Sequence, residues 1–393
     1  MVCLFAAYPS FAQKVGVAVF GATPGGLAAA IQSAHSGVET ILIDNENLDA
    51  VHLTSADKTY KIGIYAQFLQ RVDSLQKNLN YKNNESLTPA YTAVVFKGWT
   101  DTIKNLTVLR KSTIKEIKKD GKSWEIEFTN GNEIKANVVV DATIGSLVSQ
   151  KASVSASKLQ PKQGIYSDKL YRTSVALVGP ANVLSAHYLP ISYLLAGNAE
   201  NFLILGGNVP STLVTGQGAG ASAAYCAFFK TDTKDISVRK TQAELVTFKS
   251  QFIRFDDIDV LDSNAVSIQK VAVTGIIKGK EKGDQLLFIP DSTISTEEIR
   301  KPFREYYSRS QIWFLDNKAD QLSLAQTLSL IKFVGSRAGE LDKEVKNAWK
   351  TSLKLKGEFD LKRIVNRREF AVLVDTYLQP YIVAVDMQGN VTR

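Results

Sequence analysis

The first residues in the chain that could bind a ligand form a glycine-rich stretch, GATPGG, at positions 21–26. It lies between a valine-rich run, 15–20, and a series of helix formers that ends at Gly37. A glycine turn between a strand and a helix brings backbone N–H groups and the positive end of the helix dipole to one place, which suits a phosphate. Asp44 ends the next apolar stretch, at the distance where dinucleotide-binding βαβ units carry an acid that binds ribose hydroxyls.

The elements needed to position these residues are predicted by the same stretch. The pattern gives a strand up to Phe20, a helix from Leu27 to Ser36 and a second strand at 41–43. Thr23 stands where the middle glycine of GxGxxG belongs. We interpret the stretch as a nucleotide-binding βαβ unit, and a βαβ turn without a ligand is the alternative.

Two later bends have a similar character. VVVDAT, residues 138–143, is an apolar strand that ends on Asp141 and continues to Gly145. The strand predicted at 202–205 enters Gly-Gly-Asn, and the glycines of 216–220 open a small-residue helix that runs to about Phe229. We expect both bends to lie beside the first glycine turn. For 216–220, close packing of the helix is the alternative explanation.

Composition limits the class of protein. The 393 residues are enough for two domains, and 45% hydrophobic with 22% charged residues is typical of a globular chain. The sequence contains no run of about 18 apolar residues, so no membrane span is predicted. The net charge of +8 comes from scattered basic residues, without a nucleic-acid-binding motif. Two cysteines and three scattered histidines argue against a zinc site, so we expect no metal.

The N-terminal residues 1–12 resemble the end of a secretory signal. The stretch is apolar and has the small-x-small pattern Ser10-Phe11-Ala12 before Gln13. It lacks a basic n-region, so the start codon could be misplaced, and an ordinary strand extension is the alternative. Cleavage would remove Cys3 and leave Cys226 without an intrachain partner. We therefore expect an exported protein of the periplasm or cell envelope.

Three segments together resemble FAD-dependent oxidoreductases, most closely the bacterial group often labelled xanthan lyase. They are 21–44, 137–147 and 201–224, and the resemblance covers roughly residues 14–230. It implies a Rossmann-like FAD/NAD(P)-binding α/β domain of the two-dinucleotide-fold type, at 13–232, with a reduced substrate region at about 149–201. It also implies FAD as the cofactor and hydride transfer to or from the flavin.

The resemblance carries over to individual residues. The first loop would hold the FAD pyrophosphate, Asp44 the adenosine ribose and Ile114 the adenine, while the helix N-terminus at 216–220 would stabilise the reduced flavin. The implied cofactor-binding residues are Gly21, Thr23, Pro24, Gly25, Gly26, Asp44, Ile114, Asp141, Ala142, Thr143, Gly207, Asn208, Gly216, Gln217, Gly218, Ala219 and Gly220. His187, the histidine nearest a predicted flavin-facing loop, is a candidate proton donor or base, and a structural histidine is the alternative.

The C-terminal part, 250–393, is predicted to be a mostly α-helical domain. Its stretch 255–307 is similar to an S-layer-homology repeat, with Ser295 and Glu298 as a capping box, and a looser copy runs from Leu322 to Leu378. Asn366 is expected to cap the last helix. Such modules often bind cell-wall glycan, and a helical domain docked on the flavin domain is the alternative.

Two functions stay open. The first is an FAD-dependent oxidoreductase acting on an unknown small organic or carbohydrate-derived molecule. The second is a degenerate flavoprotein fold that serves as a non-catalytic envelope binding or scaffold protein, suggested by the short middle region and by the absence of a glycine pair in 45–57. An NAD-dependent dehydrogenase is less well supported, because the segment 216–220 suits a flavin better than a nicotinamide.

Overall fold

The computed structural model describes residues 13–45, 48–78, 87–158, 164–178, 187–207, 209–337 and 339–392. The predicted signal segment, 1–12, and Asn208 lie outside them. The chain divides into two compact units, one of Met1–Gln160 and Ile191–Ile236, the other of Pro161–Pro190 and Ser237–Arg393. The described residues 164–178 and 187–190, which the sequence analysis places in the first domain, group with the C-terminal residues.

The strands and helices follow the chain in this order. The strands are β1 Gln13–Phe20, β2 Thr40–Asp44, β3 Leu106–Arg110, β4 Ile114–Asp120, β5 Ser123–Phe128, β6 Glu133–Asp141, β7 Ser174–Ala176, β8 Leu189–Pro190, β9 Phe202–Ile204, β10 Lys280–Lys282 and β11 Gln285–Leu287. The helices are α1 Pro24–His35, α2 Ser55–Thr59, α3 Gly63–Asn78, α4 Pro89–Thr100, α5 Leu147–Lys151, α6 Leu213–Phe229, α7 Val238–Thr247, α8 Ala265–Ala272, α9 Thr296–Tyr306, α10 Ser310–Asp316, α11 Leu324–Gly335, α12 Leu341–Ala348 and α13 Arg367–Tyr377.

The first unit is built on a seven-stranded sheet of order β3-β2-β1-β6-β5-β4, with β9 beside β6. The pairs β1–β2, β2–β3, β1–β6 and β6–β9 are parallel, while β4, β5 and β6 form an antiparallel meander. In parallel strands the carboxyl ends meet at one edge, which is where α/β sheets bind ligands. The predicted α/β Rossmann-like class is confirmed, as is the helical C-terminal region.

The buried faces of the elements explain this arrangement. β2 is buried along its whole length and reads as a continuous apolar run, as central parallel strands do. α1 carries three consecutive alanines and is buried except at His35, so α6 can lie close against it. The meander strand β5 alternates buried and half-buried residues, because only one of its faces is covered.

Some boundaries differ from the sequence-based prediction. The segment 45–60, predicted as loop, contains the short helix α2, which Thr54 and Asp57 start with a capping box. The strand predicted over 170–178 is wrong in its first half, because 170–173 form a 3₁₀ turn before β7. Gly37 lies just after the end of α1 with a φ of +82°, the conformation expected of the glycine that follows a helix.

In the second unit, three short segments pair with one another in a closed ring. Residues 293–295, 321–323 and 364–366 form the bridges Thr293–Asn366, Ser295–Gln321 and Ser323–Ile364. Each segment ends on the cap residue of a helix, namely Ser295 for α9, Ser323 for α11 and Asn366 for α13. We call this arrangement the cap ring. It contains three segments, whereas the sequence indicated two repeats.

The caps themselves test two predictions. Asn366 accepts from the Glu369 amide at 2.8 Å and forms a capping box, so the predicted cap is confirmed. The capping box predicted for Ser295 and Glu298 is wrong. Ser295 accepts from the Glu297 amide at 3.2 Å, and the Glu298 carboxylate instead pairs with Arg367.

Candidate functional site

The first bend follows β1 and is tightly constrained around Gly21. Its φ of +91° is a conformation that residues with a Cβ adopt rarely. A Cβ at this position would lie 2.9 Å from the carbonyl oxygen of Ala142, in the second bend. At Gly26 a Cβ would lie 1.9 Å from the Gly21 oxygen. Glycine is therefore required at both places by the turn itself and by its contact with the chain after β6.

The helix that follows begins at a threonine. The Thr23 hydroxyl accepts from the Gly26 amide at 3.2 Å, donates to the Ala142 carbonyl at 3.0 Å, and lies 2.9 Å from the Ser211 hydroxyl. The Gly25 amide donates to the Ser211 carbonyl at 3.2 Å. The residue that replaces the middle glycine thus joins the first bend to the other two.

The second bend, after β6, is held by the buried carboxylate of Asp141. One oxygen accepts from the amide and hydroxyl of Thr143 at 3.0 and 2.5 Å, and the other accepts from the amide and hydroxyl of Ser149 at 2.6 and 2.5 Å. With four donors around it, the carboxylate fixes the shape of the 143–149 loop. Ala142 presents its carbonyl to the first bend.

The third bend, after β9, lies beside the second. A Cβ at Gly206 would be 3.6 Å from the Ser146 hydroxyl and 3.8 Å from the Thr143 carbonyl oxygen. Gly207 has a φ of +60° and is exposed, and no described residue has an atom within 4 Å of the position that a Cβ would take. The three glycine-bearing bends therefore lie together at the carboxyl edge of the sheet. Gly207 belongs to this group, and Asn208 lies outside the described residues.

Asp44 ends β2 at the same edge. Its side chain is 5% exposed, and one carboxylate oxygen accepts from the Leu48 amide at 2.5 Å. Leu48 takes a positive φ of 56°, which is uncommon for a residue with a Cβ. This position, at the end of the strand next to β1, is the one at which an acid binds ribose in dinucleotide folds.

The N-terminus of α6 is capped from within the protein. α6 begins at Leu213, so the start predicted at Gly216 is wrong by three residues. Thr212 and Thr215 form a capping box, and the Leu213 amide donates to Oδ1 of Asp57 at 2.7 Å. Oδ2 of Asp57 accepts from the amide and hydroxyl of Thr54 at 2.8 and 2.7 Å. A carboxylate therefore lies at the positive end of this helix.

Gly216 and Gly220 face α1. A Cβ at Gly216 would lie 2.0 Å from the Gly25 carbonyl oxygen, and one at Gly220 would lie 2.4 Å from that of Ala29. Gln217 donates to Gln32 at 2.9 Å and accepts from the Ile64 amide at 3.2 Å. Helix packing accounts for these residue types, and the cofactor contacts implied for Gly216, Gln217, Gly218, Ala219 and Gly220 stay predictions.

Ile114 begins β4, where it pairs with Phe128 in the meander. The residues just before it lie beside the end of β2, because the Ser112 amide donates to the Asp44 carbonyl at 3.3 Å and the Thr113 hydroxyl donates to the Asn45 side chain at 2.9 Å. The adenine contact implied for Ile114 stays a prediction.

His187 belongs to the second unit, and its carbonyl accepts from the Arg254 amide at 2.9 Å. Burial, helped by the positive charge of Arg254, lowers the pKa of His187 from 6.5 to about 4. Its imidazole is therefore neutral near pH 7, and its catalytic role stays a prediction.

Asp57 and Ser211 were missed by the sequence analysis. Asp57 is fully buried, and desolvation raises its pKa above the ordinary value of 3.8 although three hydrogen bonds oppose the shift. The pattern Thr54-x-x-Asp57 is a capping-box signal and predicts the start of α2. No local pattern indicates the contact of Asp57 with α6, because the two lie 156 residues apart in the chain.

The three bends meet part of what an FAD molecule needs. Gly21, Gly26 and Asp44 fit the nucleotide half, since the turn is tight and an acid ends β2. The Gly25 amide, at the start of α1, is already bonded to Ser211, so a bound pyrophosphate would have to replace that bond.

Among the described residues, no group of three His, Cys, Asp or Glu could hold a metal ion. None of the described helices is long and apolar enough to span a membrane.

A family model matches the N-terminal part of the chain. Residues 16–164 match the family model for FAD dependent oxidoreductases, and that family implies FAD as the cofactor. No curated protein sequence matches the chain.

Solved structures match the chain over a limited part. The flavoprotein/dehydrogenase from Cytophaga hutchinsonii is 18% identical over 38% of this chain and 44% of its own, with a TM-score of 0.28. The p-nitrophenol 4-monooxygenase from Pseudomonas putida is 17% identical over 37% and 46%, also at 0.28. The thioredoxin reductase from T. acidophilum is 15% identical over 38% and 39%, at 0.24. The match spans less than half the length of each of these proteins.

Proposed function

We propose that the first unit binds FAD at the carboxyl edge of its sheet and that the chain is an FAD-dependent oxidoreductase. The observation that carries this proposal is the meeting of three glycine-bearing bends, in which Gly21 contacts the Ala142 carbonyl and Gly206 lies beside Thr143. The family match over 16–164 supports it. The substrate would be a small organic or carbohydrate-derived molecule.

The roles of the residues follow from their places. Gly21 gives the turn, the Gly25 amide at the start of α1 would donate to the pyrophosphate in place of its bond to Ser211, and Asp44 is an acceptor for the ribose hydroxyls. The flavin supplies hydride transfer when it is bound. Near neutral pH the imidazole of His187 is uncharged, so it is able to accept a proton and not to donate one as an imidazolium.

An absorption spectrum tests the proposal directly. Purified protein is mixed with FAD and desalted, and flavin absorbance that co-elutes with the protein is the expected result. The Gly21→Ala variant is expected to lose this absorbance, because its Cβ would clash with Ala142. Gly37 has a similar φ, but among the described residues no atom lies within 4 Å of its Cβ position, so Gly37→Ala is the control that should stay yellow. A colourless wild-type protein contradicts FAD binding.

A second candidate function is supported by the contacts of Ser211 and Asp57. These residues already use the Gly25 amide and the Leu213 amide. A degenerate flavoprotein fold that acts as a non-catalytic envelope binding or scaffold protein would have this character. It predicts a folded protein that stays colourless with FAD and reduces no electron acceptor.

For the second unit we propose an S-layer-homology-like module of an exported protein. The cap ring supports this, since three helices begin on three mutually paired segments. Arg367 and Arg368 are buried and pair with Glu298 and Asp262, so a glycan would have to use other side chains. Co-sedimentation of the full chain with cell-wall sacculi, before and after removal of their attached polysaccharide, tests the proposal. Equal sedimentation with both preparations contradicts it.

A further inference from the structure

The segment Val209–Thr212 lies directly on the first bend. The Ser211 carbonyl accepts from the Gly25 amide at 3.2 Å, and the Ser211 hydroxyl lies 2.9 Å from that of Thr23. A Cβ at Gly25 would be 2.4 Å from the Ser211 hydroxyl and 3.0 Å from its Cα. No space remains between this segment and the start of α1, where a dinucleotide fold receives phosphate oxygens.

The segment is fixed at both of its ends. The Gly206 amide donates to the Val209 carbonyl at 2.6 Å, and the Thr215 hydroxyl donates to the Pro210 carbonyl. The Thr212 amide donates to the Thr215 hydroxyl at 3.0 Å. The position of Ser211 is therefore set by the turn after β9 and by the first turn of α6 together.

Asp57 fixes the first turn of α6 in the same place. Its carboxylate accepts from the Leu213 amide at 2.7 Å and from two donors of Thr54. The side chain is fully buried, and a buried carboxylate remains only where hydrogen bonds compensate its desolvation. Loss of this bond would free the residue next to the segment Val209–Thr212.

We infer that the segment Val209–Thr212 is an internal occupant of the dinucleotide site, and that Asp57 is the positioning residue which holds it there. The inference depends on the proposed function, because it takes this edge of the sheet as a dinucleotide site. The Ser211 carbonyl takes the place of a phosphate oxygen on the Gly25 amide. A nucleotide therefore binds only to the fraction of molecules in which the segment has moved, and its apparent affinity is reduced by that fraction.

Two substitutions weaken the closed arrangement in different ways. Ser211→Ala removes the hydroxyl contact with Thr23, and Asp57→Asn replaces one of the two acceptor oxygens that hold Thr54 and Leu213 with an amide donor. Matched controls lie in the same unit. Ser222→Ala changes a buried serine of α6 that bonds within its own helix, and Asp232→Asn changes a buried carboxylate that bonds Asn201 and Lys122.

In the experiment, each purified protein is titrated with FAD and, separately, with ADP. Isothermal titration calorimetry measures the dissociation constant in each titration. We expect Ser211→Ala and Asp57→Asn each to tighten binding of both ligands by about threefold to tenfold, the effect of one lost hydrogen bond in the closed state. The controls should bind as the wild type does. ADP should show the same gain as FAD, because the displaced contact is at the phosphate-facing amide of Gly25.

The direction of the change separates this role from a purely structural one. A variant that only damages the fold binds nucleotide more weakly, whereas release of an internal occupant makes binding tighter. Wild-type binding with no gain in either variant overturns the inference and leaves the proposed function intact. Absence of FAD and ADP binding in all five proteins overturns both. Binding by the two variants and not by the wild type supports the inference alone.

Discussion

The amide of Leu213 donates a 2.7 Å hydrogen bond to Oδ1 of Asp57, 156 residues earlier in the chain. Through this bond, α2 and α6 share a single carboxylate, since Asp57 also forms the capping box of α2 with Thr54. Burial raises the pKa of Asp57, because desolvation disfavours the ionised carboxylate more than its hydrogen bonds to Leu213 and Thr54 favour it. The contact joins two parts of the chain that local sequence patterns treat as independent.

The tight turn at Gly21 predicts a difference between two glycine-to-alanine changes. Gly21 and Gly37 have φ of +91° and +82°, but only Gly21 has backbone atoms within 3.0 Å of a Cβ position. We expect Gly37→Ala to lower the free energy of unfolding by about 1 kcal/mol, from the backbone conformation alone. Gly21→Ala should cost about 3 kcal/mol or more, because steric overlap is added. Urea denaturation checks both values, and equal losses would contradict the clash.

The close approach of α6 to α1 predicts opposite effects at two helical glycines. A Cβ at Gly216 would lie 2.0 Å from the Gly25 oxygen, whereas at Gly98, in α4, nothing lies within 4 Å. We expect Gly216→Ala to destabilise the protein by about 2–3 kcal/mol through overpacking. Gly98→Ala should stabilise it by about 0.5–1 kcal/mol, the usual gain of alanine over glycine in a helix. Thermal unfolding of both variants is the measurement, and a neutral Gly216→Ala would show that the helices can separate.

The buried arginine of the second unit predicts a large loss on substitution. Arg367 has no exposed surface and donates to the carbonyls of Phe288 and Lys278, as well as to the Glu298 carboxylate. Arg367→Met should lower the free energy of unfolding by about 3–5 kcal/mol, because three acceptors lose their donor. Lys350→Met removes an exposed ion pair with Glu358 and should change the free energy of unfolding by less than about 0.5 kcal/mol. Similar losses in chemical denaturation would refute the distinction.

His187 predicts a pH dependence of stability with a definite sign. Its folded pKa of about 4 lies below the ordinary 6.5, so between these values the unfolded chain binds a proton that the folded chain does not. The free energy of unfolding therefore falls as the pH is lowered from about 6.5 to 4, by at most about 3 kcal/mol from this group. His187→Gln should lack this contribution. The measurement is the difference between the two proteins at pH 7 and pH 4.5, and a constant difference would contradict the shift.

The first βαβ unit could be predicted from sequence because each of its signals is local. The valine run, the glycine turn, Gly37 and the acid at Asp44 all lie within 30 residues, and each was found where expected. The apolar strand before Asp141 was recognisable for the same reason.

The contacts that define the site depend on distant partners and were not predictable in this way. The sequence marks Ser211 only as a small polar residue before a helix, and its role depends on Gly25, far earlier in the chain. Glu298 illustrates the same limit, because its spacing from Ser295 indicates a capping box while Arg367 supplies a stronger, charged partner. The ion pair with the distant Arg367 therefore replaces the capping contact that the local spacing of Glu298 predicts.

The cap ring limits how the second unit can be extended. Each of its three segments is paired on both sides, through the bridges at Thr293, Ser295 and Ser323. An open helical array keeps a free end on which further copies can stack, and its length can drift during evolution. A triangle has no such end, so a fourth copy could enter only by breaking an existing pair. The number of copies in this module is therefore set by its geometry.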